Sequence, residues 1–180
     1  VRSRGLGDVY KRQVLVEVQA LVSPRPAGSG GFGTRTVTGL VPRRIDLILA
    51  VLAQRAQLDL SSADVFVSVA GGLTVREPAA DLAIAAAVVS SATLRAVPGD
   101  VMMLGEVGLT GELRSVPEPS RRISEAARLG FSRIVAPRDR SVRPAGGEVE
   151  WARSARLQQV ATLGEAMHAM SLQDAGLRAV

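Results

Sequence analysis

Few side chains in this sequence could carry out catalysis or hold a metal ion. The chain has no cysteine, which excludes disulfides, thiolate zinc sites and cysteine nucleophiles. Its single histidine, His168, cannot build a multi-histidine metal site alone. Every basic residue except Lys11 is arginine, whose guanidinium remains charged and pairs readily with phosphate. We therefore expect no metal site and no cofactor site in this chain.

One glycine-rich run has the spacing of a dinucleotide-binding loop. Gly28, Gly30 and Gly33 match G-x-G-x-x-G. Such a loop must follow a strand and open a helix, whereas this run leads into another strand. We therefore predict an ordinary surface loop here.

The basic character of the chain comes mostly from its first residues. Residues 1–13 (VRSRGLGDVYKRQ) show no amphipathic period and contribute +3 to the formal net charge of +5. We interpret them as a non-native segment translated from a sequencing adapter, with a genuine basic arm as the alternative. The remaining +2 is too small for composition alone to indicate nucleic-acid binding.

Residues 65–91 contain the central strand, turn and helix of the predicted fold. Val65, Val67 and Val69 alternate with other residues as in a half-buried strand, and a glycine pair ends the strand. A helix follows Pro78, and Asp81 complements the positive end of its dipole. Because residues 79–89 are otherwise apolar on every side, we predict that this helix lies inside the domain or packs against several elements at once.

The elements that precede residues 65–91 are predicted only from the spacing of their apolar residues. Residues 14–23 and a short run from Thr36 have strand patterns, which we interpret as a hairpin with a long tip. An amphipathic helix begins at Pro42. We predict that Arg43 and Arg44 form its solvated start, the alternative being that a partner's phosphate or carboxylate holds them.

The second half predicts further strands and two helices. Residues 101–104 are a compact apolar run, residues 118–130 form a helix that begins near Pro119, and residues 132–137 form a buried strand. Residues 138–148 read as a surface loop, and Thr162 with Glu165 forms a capping box for a last helix. The longest apolar run, 82–89, is shorter than the ~18 residues of a membrane span, so we expect no membrane contact.

Several blocks of the chain, taken in order, closely resemble the C-terminal Lon-protease-like domain of bacterial RadA (Sms) proteins. They are VEVQALV, TGL, LAVLAQRA, VSVAGG, EPAADLAIAAAV, GEVGLTGELRSV, RISEAARLGF and VATLGEAMHAM. The resemblance implies a Lon-like, ribosomal-protein-type α+β fold with helices packed on a mixed sheet. It assigns residues 14–170 to that domain and 171–180 to a tail.

Lon proteases share these blocks but hydrolyse peptides with a serine–lysine dyad, in which a neutral lysine activates the serine. The resemblance places Ala79 at the serine position and Ser120 at the lysine position. Because the chain has no lysine outside residues 1–13, no such dyad can be assembled. We therefore expect a protease fold without protease activity, because activity depends on the residues of the site and not on the fold.

The resemblance also implies the nature of the parent protein. It would be a cytoplasmic, hexameric, DNA-dependent ATPase for branch migration, with zinc, ATP and magnesium bound in parts absent from this chain. This chain would be its oligomerisation and DNA-facing scaffold. The DNA-binding candidates are arginines at helix starts or turns: Arg43, Arg44, Arg76, Arg114, Arg121 and Arg122. A pure oligomerisation module, or the Lon-like domain of a magnesium-chelatase-related ATPase, remains an alternative.

Overall fold

The computed structural model describes residues 13–26, 31–142, 151–170 and 173–174. Within them the chain forms ten strands and five α-helices. In chain order these are β1 (Val18–Ser23), β2 (Arg35–Thr38), α1 (Pro42–Arg55), β3 (Asp64–Val69), α2 (Asp81–Thr93), β4 (Arg95–Ala96), β5 (Val101–Met103), β6 (Glu106–Val107), β7 (Leu113–Arg114), α3 (Pro119–Arg128), β8 (Arg133–Pro137), α4 (Trp151–Ser154), β9 (Arg156–Val160), α5 (Leu163–Ala169) and β10 (Gln173–Asp174).

The first sheet has the order β1-β3-β2, and the central strand β3 is the predicted valine strand. Its alternation puts Val65, Val67 and Val69 in the core and leaves Phe66 exposed. β1 is antiparallel to β3 and β2 is parallel to it. The predicted hairpin of the first two strands is therefore wrong. Both strands have the expected alternating period. Each nevertheless pairs with β3, because helix α1 connects β2 to β3 and allows these two strands to run in parallel.

The remaining strands form three further sheets. β5, β8 and β9 make a parallel sheet, β6 and β7 make an antiparallel hairpin, and β10 pairs with β4. The α+β class is confirmed and the first sheet is mixed, but the described strands form four small sheets and not a single one. The predicted loop at 138–148 is described only as far as residue 142, and the rest of it lies outside the described residues.

Two clusters of buried side chains hold these layers together. In the larger one, α1 and α2 pack on the inner face of the first sheet through aliphatic residues that include Ile48, Leu52 and Leu82. In the smaller one, α3 covers the parallel sheet through Ile123. No helix in the described part of the chain is long and apolar enough to span a membrane.

α2 packs against several elements at once, as its composition predicts, but one side of it is only partly covered. Leu82, Ile84 and Val88 are fully buried, whereas Ala83 and Ala87 on another side of the helix are only partly covered. The spacing of apolar residues could not show which side of α2 is only partly covered, because alanine is common on both buried and open helix faces.

Two glycines have structural reasons to be glycine. A Cβ at Gly33 would lie 1.9 Å from the Ala63 carbonyl oxygen, so this residue packs against backbone, in agreement with the loop interpretation. Its predicted companions Gly28 and Gly30 lie outside the described residues. Gly39 has a positive φ of 74°, and its carbonyl accepts the Val75 N–H at 2.8 Å.

Replacing Gly39 with alanine is expected to lower the free energy of unfolding by about 2–3 kcal/mol. A left-handed φ costs a residue with a Cβ about 1–2 kcal/mol, and the new Cβ would meet the Leu73 carbonyl oxygen at 2.4 Å. The matched control is Gly130→Ala, where φ is also positive and no atom lies within 4 Å. Urea unfolding of both variants measures the difference, and equal losses would contradict the close contact at Gly39.

Candidate nucleic-acid interface

The segment between β3 and α2 is the centre of the candidate site. Residues Pro78–Ala80 form a 3₁₀ turn that leads directly into α2, as expected for a proline at a helix start. The Ala79 carbonyl accepts the Gly105 N–H at 3.0 Å, and the Gly105 carbonyl accepts the Leu82 N–H at 3.1 Å. These two hydrogen bonds fix the β5–β6 connection alongside the start of α2.

Asp81 and Arg44 form an ion pair below this turn. Asp81 is 1 % exposed and is the one charged side chain that is buried among the described residues. Arg44 Nε donates to Asp81 Oδ1 at 2.8 Å, and Arg44 Nη2 donates to Oδ2. The Val107 N–H also donates to Oδ2, at 3.0 Å. These contacts connect the starts of α1 and α2 with β6.

The prediction of a solvated helix start is therefore wrong for Arg44. A carboxylate does hold it, but that carboxylate belongs to the same chain. Its hydrogen bonds to Asp81 raise the pKa of the Arg44 guanidinium above its ordinary value. Asp81, predicted only to complement the helix dipole, neutralises this arginine as well.

The ion-pair network continues from Arg44 onto the β6–β7 hairpin. Glu106 Oε1 lies 3.6 Å from Arg44 Nη2 and 3.7 Å from Arg114 Nη1. Arg114 Nη2 also contacts Glu112 Oε1 at 2.5 Å. The Arg114 side chain remains 57 % exposed, so a solvent anion could reach it despite these two carboxylates.

Glu112 fixes the tip of this hairpin. It accepts hydrogen bonds from the backbone N–H of Thr110, from the Thr110 hydroxyl and from Arg114. The bond from Thr110, with smaller contributions that include Arg114, lowers the pKa of Glu112 to about 2.

This lowered pKa predicts a loss of stability in acid. Below the ordinary glutamate pKa of 4.5, the unfolded chain binds a proton at this position that the folded chain does not, so stability falls between about pH 4.5 and 2. We expect Glu112→Gln to have a shallower decline in thermal midpoint over that interval than the parent chain. Parallel pH profiles of the two proteins would contradict the assignment.

A second group of charges lies on the other side of the turn. Glu77 Oε1 is 3.6 Å from Arg122 Nη2, and Arg122 Nε donates to the Pro117 carbonyl at 2.9 Å. Arg76 precedes Glu77 and Arg121 precedes Arg122 in the chain, and both are exposed. The turn is thus flanked by two ion pairs, Arg44 with Asp81 after it and Arg122 with Glu77 before it.

The residues at the two dyad positions differ in burial and in side-chain chemistry. Ala79 is 7 % exposed and has no hydroxyl group, whereas Ser120 is exposed in the first turn of α3. His168 lies on α5 with Nδ1 2.8 Å from the Gly164 carbonyl oxygen. Within the described ranges, no group of three or more His, Cys, Asp or Glu side chains could hold a metal ion.

The comparison with protein families gives the relationship of the chain. A family model described as subunit ChlI of Mg-chelatase matches residues 43–140, more than half of the sequence. The chain belongs to the ChlI family. The matched region contains α1 after its first residue, the 78–80 turn, the β6–β7 hairpin and α3, and so includes the whole ion-pair network.

Curated relatives of this ChlI-family chain are named DNA repair protein RadA. That of Listeria monocytogenes is 40% identical over 156 residues, which are 87% of this chain and 32% of the relative. That of Streptococcus pneumoniae is 45% identical over 128 residues, 71% of this chain and 30% of the relative. That of Aquifex aeolicus is 52% identical over 80 residues, 44% of this chain and 17% of the relative. The resemblance to RadA is confirmed, and the chain spans about a third or less of these proteins.

The six arginines singled out from the sequence fall into two groups in this ChlI-family structure. Arg44, Arg114 and Arg122 have carboxylate partners, whereas Arg43, Arg76 and Arg121 form no ion pair within the described part of the chain. The sequence did not identify the acidic partners Glu77, Glu106 and Glu112. Asp81 was singled out as the one polar residue in an otherwise apolar run, but its ion pair with Arg44 was not predicted.

Proposed function

We propose that this chain is a non-proteolytic, Lon-like scaffold and oligomerisation module of a RadA-type, ATP-dependent DNA repair and recombination protein. The observation that carries the proposal is the identity to RadA proteins over as much as 87% of the chain. The α+β architecture, with the order of elements predicted from the sequence period, is compatible with a Lon-like fold.

The absence of proteolysis is proposed from the two dyad positions. Ala79 has no nucleophilic atom, and Ser120 cannot replace the lysine that would accept a proton. The chain's one lysine, Lys11, lies outside the described residues. We therefore assign the turn at 78–80 a structural role, joining α2 to the β5–β6 connection.

Contact with DNA is proposed for the three unpaired arginines, Arg43, Arg76 and Arg121. An exposed guanidinium that no carboxylate contacts is free to pair with a phosphate oxygen, although Arg121 is close enough to Glu125 to add to the lowering of the Glu125 pKa by Arg128. Arg114 and Arg122 would contribute less, because a phosphate must compete there with Glu112 and Glu77. Arg44 is assigned to the structure and not to DNA, because Asp81 already neutralises it.

Zinc, ATP and magnesium are proposed for parts of the parent protein outside this chain. The sequence has no cysteine for a zinc finger and no G-x-x-x-x-G-K-[ST] loop for nucleotide phosphates. The parent would be a cytoplasmic hexameric ring in which this module helps to hold the subunits together.

Light scattering of the 180-residue chain tests the proposal. We expect a ring of about six copies, to which a forked DNA binds with an affinity that falls as salt rises, since phosphate contacts release counterions. Assembly without DNA binding would leave oligomerisation as the role of the chain. A monomer without DNA affinity at either of two salt concentrations would contradict both parts.

The second candidate is a module of a magnesium-chelatase-related ATPase, favoured by the ChlI family match over residues 43–140. This role requires oligomerisation but no DNA contact. The same experiment distinguishes the two candidates through the DNA titration.

A further inference from the structure

A small pocket lies where β8 and β9 end, between these strands and α5. Its volume is about 570 Å³, within the roughly 300–1,000 Å³ of small-molecule sites. Polar side chains and one glycine make up most of its wall: Arg138, Gln158, Gln159, Gly164, Glu165 and His168. We call it the β9–α5 pocket. These residues take no part in the ion-pair network around the 78–80 turn and are not among the six arginines considered for DNA.

The topology of the parallel sheet places this pocket at the edge where ligands commonly bind. β8 and β9 are parallel, and their register ends at the pair Pro137 and Val160. In open sheets of parallel strands, ligands bind in crevices outside the carboxyl ends of the strands. The strand order β5-β8-β9 has no reversal that would open such a crevice, and α5 supplies the second wall instead.

The two charged side chains of the pocket neutralise each other. Arg138 Nη2 donates to Glu165 Oε2 at 3.1 Å, and the Ala161 N–H donates to the same oxygen at 2.9 Å. An ionic ligand would have to compete with this pair and would disturb the start of α5, where Glu165 lies. An uncharged ligand leaves both intact. The pocket therefore favours a ligand without charged groups.

The orientation of His168 leaves one of its ring nitrogens as a hydrogen-bond acceptor. Its Nδ1 lies 2.8 Å from the Gly164 carbonyl oxygen. Because a carbonyl oxygen only accepts, Nδ1 carries the proton, and the neutral ring has its lone pair on Nε2. Nε2 has no partner in the part of the chain that the structure describes. A ligand group that donates a hydrogen bond can therefore bind there.

The amide side chains at the end of β9 keep free hydrogen-bonding groups. Gln159 Nε2 donates to the Asp139 carbonyl at 3.2 Å, which leaves Gln159 Oε1 as an acceptor. Gln158 is exposed, and its amide has no partner among the described residues. Arg138 is 66% exposed and retains N–H groups that its contact with Glu165 does not use. The pocket thus presents donors and acceptors side by side, and a hydroxyl group, which both donates and accepts, matches such a surface.

We propose that the β9–α5 pocket binds a small uncharged molecule with neighbouring hydroxyl groups, either a free sugar or the ribose of a nucleoside. One hydroxyl donates to His168 Nε2, a second bonds to the amides of Gln158 and Gln159, and ligand oxygens accept from the free N–H groups of Arg138. Because these side chains exchange bonds to water for bonds to the ligand, we expect a dissociation constant of roughly 1 mM. This site goes beyond the proposed function, since it involves neither DNA nor subunit assembly.

Saturation-transfer NMR with the 180-residue chain tests the proposal. The probes are D-ribose, adenosine and adenine, each titrated to about 5 mM. Ribose represents the free sugar, adenosine represents the sugar within a nucleoside, and adenine represents the base alone. We expect saturable binding of ribose, of adenosine or of both, and weaker binding of adenine than of adenosine.

Gly164→Leu is designed to fill the pocket without disturbing the fold. A Cβ at Gly164 would have only the Thr162 hydroxyl oxygen within 4 Å, at 3.9 Å. We expect Gly164→Leu to weaken binding about tenfold or more by occupying the small site, whereas the matched control Gly164→Ala retains most of the affinity. His168→Phe keeps a ring but removes the Nε2 acceptor, and it should cost about three- to tenfold, as expected for one hydrogen bond.

Three results would overturn the proposal: neither ribose nor adenosine binds, adenine binds as tightly as adenosine, or Gly164→Leu and His168→Phe both bind like the parent chain. Thermal unfolding checks that the variants keep their fold, and His168→Phe decides alone if Gly164→Leu does not fold. Both variants are expected to leave DNA binding unchanged. Loss of ribose or adenosine binding with intact DNA binding would therefore count against this site alone, and the reverse result would count against the proposed function alone.

Discussion

Replacing Arg44 with methionine is expected to lower the free energy of unfolding by about 3 kcal/mol, which is the largest single effect predicted for this chain. Removing one partner of a buried pair leaves an uncompensated charge and costs about 3–5 kcal/mol. The lower end applies because the Arg44 side chain is 28% exposed while Asp81 is 1% exposed. Urea unfolding at neutral pH measures the change.

Asp81→Asn provides the control for this prediction. Asparagine keeps an acceptor for the Val107 N–H but removes the buried charge. The double variant with Arg44→Met and Asp81→Asn is therefore expected to be more stable than Arg44→Met alone, and the double-mutant cycle gives the coupling energy. A loss below about 1 kcal/mol in Arg44→Met, typical of a surface pair, would show that the pair does not connect α1, α2 and β6.

Removing Arg43, Arg76 and Arg121 together is expected to weaken DNA binding by roughly ten- to a thousandfold at low salt. Each phosphate contact contributes about 0.9 to the slope of log affinity against log salt, so the triple alanine variant should lose close to three units of slope. Anisotropy titrations with a forked DNA at several salt concentrations measure both quantities.

The matched control removes three exposed arginines elsewhere, Arg55, Arg140 and Arg156, and so changes the net charge equally. We expect it to retain most of the affinity and of the salt slope. Equal losses in the two triple variants would mean that overall charge, and not the surface around the 78–80 turn, attracts DNA. Thermal unfolding of both variants checks that the fold is kept.

The helices and strands of this chain were largely predictable, because the residue spacing that indicates each one lies within the element itself. The valine alternation of β3, the apolar face of α1 and the capping box of α5 each lie within a few residues. In the structure the Thr162 hydroxyl does accept the Glu165 N–H, at 3.2 Å. Strand pairing was not predictable in this way. The period of β2 is the same whether it pairs with β1 or with β3, and only the packing of α1 decides between them.

The candidate site was predictable as a set of arginines but not as a network. Arg44 and Asp81 are 37 residues apart, so no local pattern connects them. The distinction between paired and unpaired arginines depends on Glu77, Glu106 and Glu112, which ordinary surface composition does not single out.

The central place of β3 also determines when the first sheet can form during synthesis on a ribosome. β1 and β2 both need β3 as a partner, and β3 ends at Val69. Until that residue has left the exit tunnel, both earlier strands remain without their backbone partners, and the inner face of α1 has no sheet to cover. Such exposed strand edges and apolar surface are what chaperones recognise in nascent chains. The synthesis of residues 18–69 is therefore an interval in which this domain is open to aggregation.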